Sequence, residues 1–378
     1  MTLAAPLGKP RNFGLDLVRA LAIALVLVSH GTMLLVDVIP DPGRTLMLYL
    51  GGYFGVELFF VLSGFLIGGL LITLFAEGTA PVSWRQVGDF WLRRWCRTLP
   101  NYYLFLLLNL TLFHWWFGTG ERDLRHLLFL QNLAWPGSTL MPESWSLAVE
   151  EWFYLTIPLA LMLAVRCVAN RHHAVLWALC GYIALFTLLR VLAATTGEPH
   201  WDEGVRQVVV LRLDAIAWGF LMAWLLRFHG AFMACHAAWL LLAGLALTAL
   251  SVYLLCHGLL TSLETYLNRT LLFTLTSAGL AMLLPGFSYW HTGPRRWPGI
   301  TRAVTHLSLV SYSAYLVHFS LIIPLLQRPW LSPQLPWPLV YLLYVGLTLW
   351  LATLIYRHFE YPTTALREKL LNVSPQKH

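Results

Sequence analysis

The sequence has 378 residues, 58% hydrophobic and only 11% charged, with a mean hydropathy of +0.64. Soluble globular chains carry about 25% charged residues, so an ordinary soluble enzyme is excluded. The formal net charge of +7 does not mark a nucleic-acid binder, because the arginines sit at the ends of apolar runs rather than in one polar domain.

The apolar runs are about 20 residues long, the length that crosses some 30 Å of hydrocarbon. Ten spans are predicted, at 14–36, 46–75, 99–117, 144–165, 174–196, 205–226, 236–257, 267–285, 304–326 and 336–356. The expected fold class is all-α: a polytopic transmembrane helix bundle forming one domain over 1–378, with both termini on the same side. The first run, GLDLVRALAIALVLVSHGTMLLV, carries Asp16, Arg19 and His30. An Asp or Arg near the centre of a span costs roughly 2.5–3.5 kcal/mol on insertion scales, so such residues are rare and usually functional. The run is also too long and too charged for a cleaved signal peptide. Arg19 and His30 are eleven residues apart, and at about 100° per residue they return to within roughly 20° of each other. One helix face therefore presents a permanent cation near one end and an imidazole about 16 Å further along. A satisfied buried arginine and a core histidine would show the same spacing.

The long second span is expected to tilt or break around Gly64, Gly68 and Gly69, whose default role is close helix packing. Glu57 falls near mid-membrane. Ser63 reads first as a backbone-bonding serine, since no Gly-x-Ser-x-Gly elbow supports a nucleophile. Between the third and fourth spans, Gly118 to Glu143 holds LRHLLFLQNLAW and then PGSTLMPES. This reads as an interfacial or re-entrant helix followed by a turn. With the N-terminus inside, sixteen Lys and Arg fall in inner segments against four outside (Arg44, Arg122, Arg125 and Arg328), which orients the bundle. The five cysteines, Cys96, Cys167, Cys180, Cys235 and Cys256, have neither metal nor redox spacing, and no structural disulfide is expected.

Counting 1.5 Å per residue from the span ends places His30, Glu150, Glu151, Arg212, Asp214 and His318 at overlapping depths in the outer half. Lipid-facing charges are not tolerated there, so these groups are expected to face inward. An imidazole, carboxylates and a guanidinium at one level are the ingredients of a proton-transfer site. At the inner surface, RRWCRTLPNYY supplies Arg93, Arg94 and Arg97, and Arg19 is about 7 Å above that surface. Guanidinia grip phosphate bidentately. Positive-inside topology alone would also put arginines there. The 14 histidines are scattered and suggest no metal site.

Seven stretches in order carry a resemblance that covers nearly the whole chain: LDLVRALAIALVLVSH, GVELFFVLSGFLI, RRWCRTLPNYY, ESWSLAVEEWFYL, RLDAIAWGFLMAWL, SYSAYLVH and HFEYP. The chain resembles the membrane-bound acyltransferase 3 family, integral-membrane O-acyltransferases. The resemblance implies transfer of an acyl group, commonly acetyl, from cytoplasmic acyl-CoA to a hydroxyl of a glycan or lipid-linked glycan at the outer face of a bacterial cytoplasmic membrane. It matches Arg19 and His30 to the family's Arg–ten–His pair, Arg94 and Arg97 to its arginine motif, and Glu150 to the first acid of its Trp-Ser-Leu-x-Val-Glu motif. Many members append an esterase-like domain, and the short tail after the last span predicts a standalone form.

The expected catalytic residues are then His30 as general base, or as acyl carrier, with Glu150 and Arg19. The donor's phosphates are assigned to Arg19, Arg93, Arg94 and Arg97, with Ser63 beside them. The acceptor is assigned to Trp145, Glu151, Arg212, Asp214 and His318. Glu150, with His318 or Asp214 as alternatives, is expected to orient the His30 imidazole. Two other readings stay open: a transporter or flippase, which would favour inverted repeats that are not visible, and an acyltransferase acting on a small cytoplasmic metabolite. The acceptor, the acyl group and the oligomeric state are not legible.

Overall fold

A computed structural model describes residues 11–41, 43–78, 80–118, 122–328 and 335–370. Lys9 and Lys377, counted above for orientation, and part of the 118–143 connection lie outside the described residues. Every regular element described is a helix. The principal ones are α1 (Phe13–Gly31), α2 (Gly43–Phe75), α3 (Trp84–Leu108), α4 (Ser144–Cys167), α5 (Arg171–Thr196), α6 (Leu213–Phe228), α7 (Ala237–Leu260), α8 (Tyr266–Ser288), α9 (Pro298–Val317) and α10 (Trp337–Ile355).

Eight helices among the described residues are long and apolar enough to cross a membrane, as an integral membrane protein requires. The predicted spans 99–117 and 205–226 fall on the two that are not. Helix α3 begins fifteen residues before the predicted span, because Ser83 and Gln86 form a reciprocal capping box at its start. Its first fourteen residues carry Arg85, Asp89, Arg93, Arg94 and Arg97. Helix α6 has only 16 residues, since residues 201–211 ahead of it form a wide π-helical turn, Trp201–Arg206, and a 3-10 turn, Val209–Leu211.

The bundle is organised on α2, which packs against α1 on one side and α6 on the other. Helix α2 is continuous over 33 residues and does not break at its glycines. Gly64 meets α6 so closely that a Cβ there would lie 1.8 Å from the Ile216 carbonyl oxygen. Gly219 on α6 answers it, its Cβ position being 1.9 Å from the Val61 carbonyl oxygen. Small residues let the two backbones touch. Gly68 packs on the Phe220 ring, whereas Gly69 has no neighbour within 4 Å of its Cβ position among the described residues.

The expected interfacial helix after α3 is a single 3-10 turn, Leu124–Leu128, that ends on Phe129 at φ 55. Leu124, Leu127 and Leu128 are exposed, while His126 and Phe129 turn inward. Tyr102 of α3 donates to the His126 carbonyl at 2.9 Å and stacks on Phe129, which fixes the turn against the bundle.

Candidate functional site

Two cavities of opposite chemistry lie inside the bundle. The first, about 340 Å³, contains Arg19, Arg94, Arg97 and Glu150, and α2 supplies much of its apolar wall through Val56, Phe59, Phe60, Leu66 and Ile67. Arg19 reaches it from α1 with one nitrogen 3.1 Å from Ser308 Oγ and 3.5 Å from Asp16 Oδ1. Asp16 in turn is held in a bidentate pair by Arg11. Arg94 lies 5.8 Å from the Tyr154 ring centroid. Neither Arg94 nor Arg97 has a hydrogen-bond or ion-pair partner among the described residues, so their fork of N–H donors is available to a ligand. Tyr154 donates to Glu150 Oε2 at 3.2 Å and accepts from the Ser63 hydroxyl. Three guanidinia against one carboxylate make a positive chamber with apolar walls.

The second cavity, about 200 Å³, holds His30, Tyr49, Glu143, Trp145, Asp202, Arg206 and Gln207. Arg206 is paired with Asp202 at 2.5 Å and lies 4.7 Å over the Trp145 ring, so its charge is balanced. Burial pushes the Asp202 carboxyl upward, but the Arg206 charge and hydrogen bonds from Arg206 and Gln207 outweigh it and hold it below the usual carboxylate range. His30 Nδ1 is 2.8 Å from His318 Nε2, and the two rings lie end to end, 4° from parallel with their centroids 5.1 Å apart. His318 Nδ1 is 3.0 Å from the Ala314 carbonyl oxygen. A carbonyl only accepts, so His318 carries its proton on Nδ1 and its Nε2 accepts from His30 Nδ1–H. That assignment leaves the lone pair of His30 on Nε2, which has no partner among the described residues. It lies beside Gly52, whose Cβ position would be 3.8 Å away. His318 opens a π-helical stretch, His318–Ile322, and Arg206 closes another. Such stretches cluster at functional sites.

The sequence matches the family described as an acyltransferase domain over residues 12–357. The chain belongs to the acyltransferase 3 family. Among curated relatives of this acyltransferase chain, it is 29% identical over 143 residues to the peptidoglycan O-acetyltransferase OatA of Listeria monocytogenes, covering 32% of this chain and 21% of that protein. It is 28% identical over 210 residues to the putative peptidoglycan O-acetyltransferase YrhL of Bacillus subtilis, covering 50% and 29% respectively. It is 27% identical over 171 residues to the O-acetyltransferase OatA of Staphylococcus aureus, covering 39% and 24%. Each match thus spans less than a third of the relative's own length. No solved structure matches the chain.

Several sequence expectations for this acyltransferase are corrected by where the side chains lie. Glu150 stands in the arginine cavity, hydrogen-bonded to Tyr154, and does not orient His30. The depth count put both at one level, but Glu150 turns to the α3 side of the bundle. His318, one of the alternatives, is the residue that touches His30. Arg212 and Asp214 line neither cavity. Arg212 is paired with Glu57 at 2.5 Å and Asp214 with Arg190 at 2.7 Å, all fully buried, so they lock α2, α5 and α6 together. Glu151 is also buried away from both cavities and accepts from Thr98 at 2.6 Å. Arg93 is exposed and lies outside the arginine cavity, since it is one residue off the shared face of Arg94 and Arg97. Ser63 bonds a phenol rather than backbone. Trp145 does line the histidine cavity. Sequence reasoning missed Tyr315, Tyr154, Glu143, Asp202 and Arg206. Tyr315 had a signal, standing three residues before His318 on the same helical face.

Proposed function

We propose that this protein is an O-acyltransferase that moves acetyl from acyl-CoA to a hydroxyl of a cell-wall glycan, across the cytoplasmic membrane in which it sits. The observation that carries the reading is the pair of unlike cavities, one lined by guanidinia and one by an imidazole with a free lone pair, on a single helix face of α1. The arginine end is read as cytoplasmic from the Lys and Arg bias. Arg19, Arg94 and Arg97 fit the donor's phosphates, and the aromatic and aliphatic wall from α2 fits its uncharged arm. The donor supplies an activated acyl carbon as a thioester. The acceptor enters the histidine cavity, and the peptidoglycan O-acetyltransferases among the relatives favour a glycan in that role.

His30 Nε2 takes the hydroxyl proton as the acceptor oxygen attacks the acyl carbon. The new C–O bond forms, the C–S bond breaks, and the proton passes to the departing thiolate. As His30 becomes cationic, its Nδ1–H stays donated to His318, whose own Nδ1–H is anchored on the Ala314 carbonyl. A neutral imidazole and a backbone carbonyl occupy the place that a carboxylate fills in the Ser-His-Asp arrangement.

The test is acyl transfer from radiolabelled acetyl-CoA in membranes carrying wild type or His30→Ala at equal protein levels. Label in the glycan fraction with wild type, and none with the variant, supports the reading. Equal label from both would remove His30 from the chemistry. No label from a folded wild type would remove the donor.

A further inference from the structure

The two cavities meet at one place. Val56 of α2 and Tyr315 of α9 line both of them, and the described residues offer no other shared wall. An acyl carbon held by a donor in the first cavity and attacked by a hydroxyl beside His30 in the second must lie at this partition. We propose that Val56 and Tyr315 form the acyl slot and set the length of the acyl group, admitting acetyl and turning away butyryl and longer chains. The inference rests on the donor reading above.

The partition is stiff, as a length gauge has to be. The Tyr315 hydroxyl donates to the Glu143 carbonyl at 2.9 Å and lies 2.7 Å from Ser146 Oγ. Its ring stands edge-on to Phe59 at 6.4 Å and beside the His318 ring at 5.7 Å. Val56 is 5% exposed, and its backbone cannot retreat. The neighbouring Gly55 is pressed on α1 so closely that a Cβ there would lie 2.8 Å from both the Ala22 carbonyl oxygen and Val26 Cγ2. The room at the slot is therefore fixed by the two side chains rather than by helix movement. Close-packed interiors respond to single methylene groups, and one methylene in an apolar pocket discriminates by about 10–200-fold. Val56→Ala removes two methyl groups, which is the two-carbon difference between acetyl and butyryl.

The experiment is calorimetric titration of the full chain in lipid nanodiscs with CoA, acetyl-CoA and butyryl-CoA, for wild type, Val56→Ala and Val56→Leu. In wild type, the butyryl-CoA Kd should exceed the acetyl-CoA Kd by about tenfold or more. That ratio should fall by about tenfold in Val56→Ala and should rise in Val56→Leu. Because the readout is a ratio within one variant, a general weakening of the protein does not move it. Ratios near one in wild type, or the same ratio in all three proteins, would overturn the slot while leaving the donor reading intact. A folded wild type that binds none of the three ligands would overturn the donor reading and the slot with it.

Discussion

His30 Nδ1 lies 2.8 Å from His318 Nε2, so the tautomer of one histidine is dictated by the other. The chain of donors runs from His30 to His318 to the Ala314 carbonyl, and it ends on a group that cannot be protonated at any working pH. In the proposed reaction His318 is a positioning residue, which keeps the His30 lone pair on Nε2. His318→Gln retains an oxygen that can accept from His30 and should keep part of the activity. His318→Leu has no acceptor and should lose most of the roughly 10²–10⁴-fold that a general base supplies. The loss should fall on kcat, with the donor KM little changed, and should shift the pH–rate profile. A profile and kcat identical to wild type in His318→Leu would rule out the relay.

The arginine cavity makes a prediction with a built-in contrast. Arg94 lines the cavity with no hydrogen-bond or ion-pair partner among the described residues, whereas Arg93, its neighbour in sequence, is exposed and lies outside it. A hydrogen bond to a charged group contributes about 1.5–3 kcal/mol. Arg94→Ala should therefore raise the donor KM by roughly 10–100-fold, whereas Arg93→Ala should stay close to wild type. Steady-state titration with acetyl-CoA distinguishes them. Equal effects of the two substitutions would return the cluster to a purely topological role.

What the sequence shows and hides follows from which distances it encodes. Spacing along one helix is local, so the eleven-residue interval puts Arg19 and His30 on one face well apart, and the structure has one of them in each cavity. Counting residues gives depth but not rotation, which is why Glu150 and Asp214 share a depth estimate with His30 yet turn toward Tyr154 and Arg190. The start of α6 was hidden for another reason. The π-helical turn Trp201–Arg206 breaks the 3.6-residue period, so an apolar run that includes Val205 and Val208 reads as one span. The same turn carries Asp202 and Arg206 into the histidine cavity, where no periodic pattern would place them.

The buried ion pairs predict a loss of stability rather than of acceptor recognition. Arg190 donates to both oxygens of Asp214, at 2.7 and 2.8 Å, and also to Thr274 and the Leu211 carbonyl. Removing one partner of a buried pair costs about 3–5 kcal/mol, because the other charge is left without compensation. Asp214→Ala should lower the Tm of the detergent-solubilised protein by several degrees, and the protein that remains folded should show an unchanged donor KM. An unshifted Tm with a raised acceptor KM would instead return Asp214 to the acceptor site.

The turn after α3 predicts a pH dependence of stability. Burial pushes the His126 pKa below its ordinary value, and this outweighs the upward pull of the Asp123 carbonyl and carboxylate. Its Nδ1 is 3.0 Å from the Asp123 carbonyl, while its buried Nε2 has no acceptor among the described residues that a second proton could use. The unfolded chain, with a histidine pKa near 6.5, therefore binds more protons than the folded chain just below that pH. Stability rises with pH wherever the unfolded state is the more protonated. The contribution of His126 is thus complete above about pH 6.5 and is lost as the pH falls from there toward the folded-state value. Thermal unfolding of wild type and His126→Asn between pH 7.5 and 5 should show a steeper acid-side fall in Tm for wild type. Parallel curves would mean that the folded turn tolerates the imidazolium. Because the Leu124–Leu128 turn leads through Phe129 to Glu143, whose carbonyl holds Tyr315, loosening it at low pH should also depress acyl transfer before the bundle unfolds.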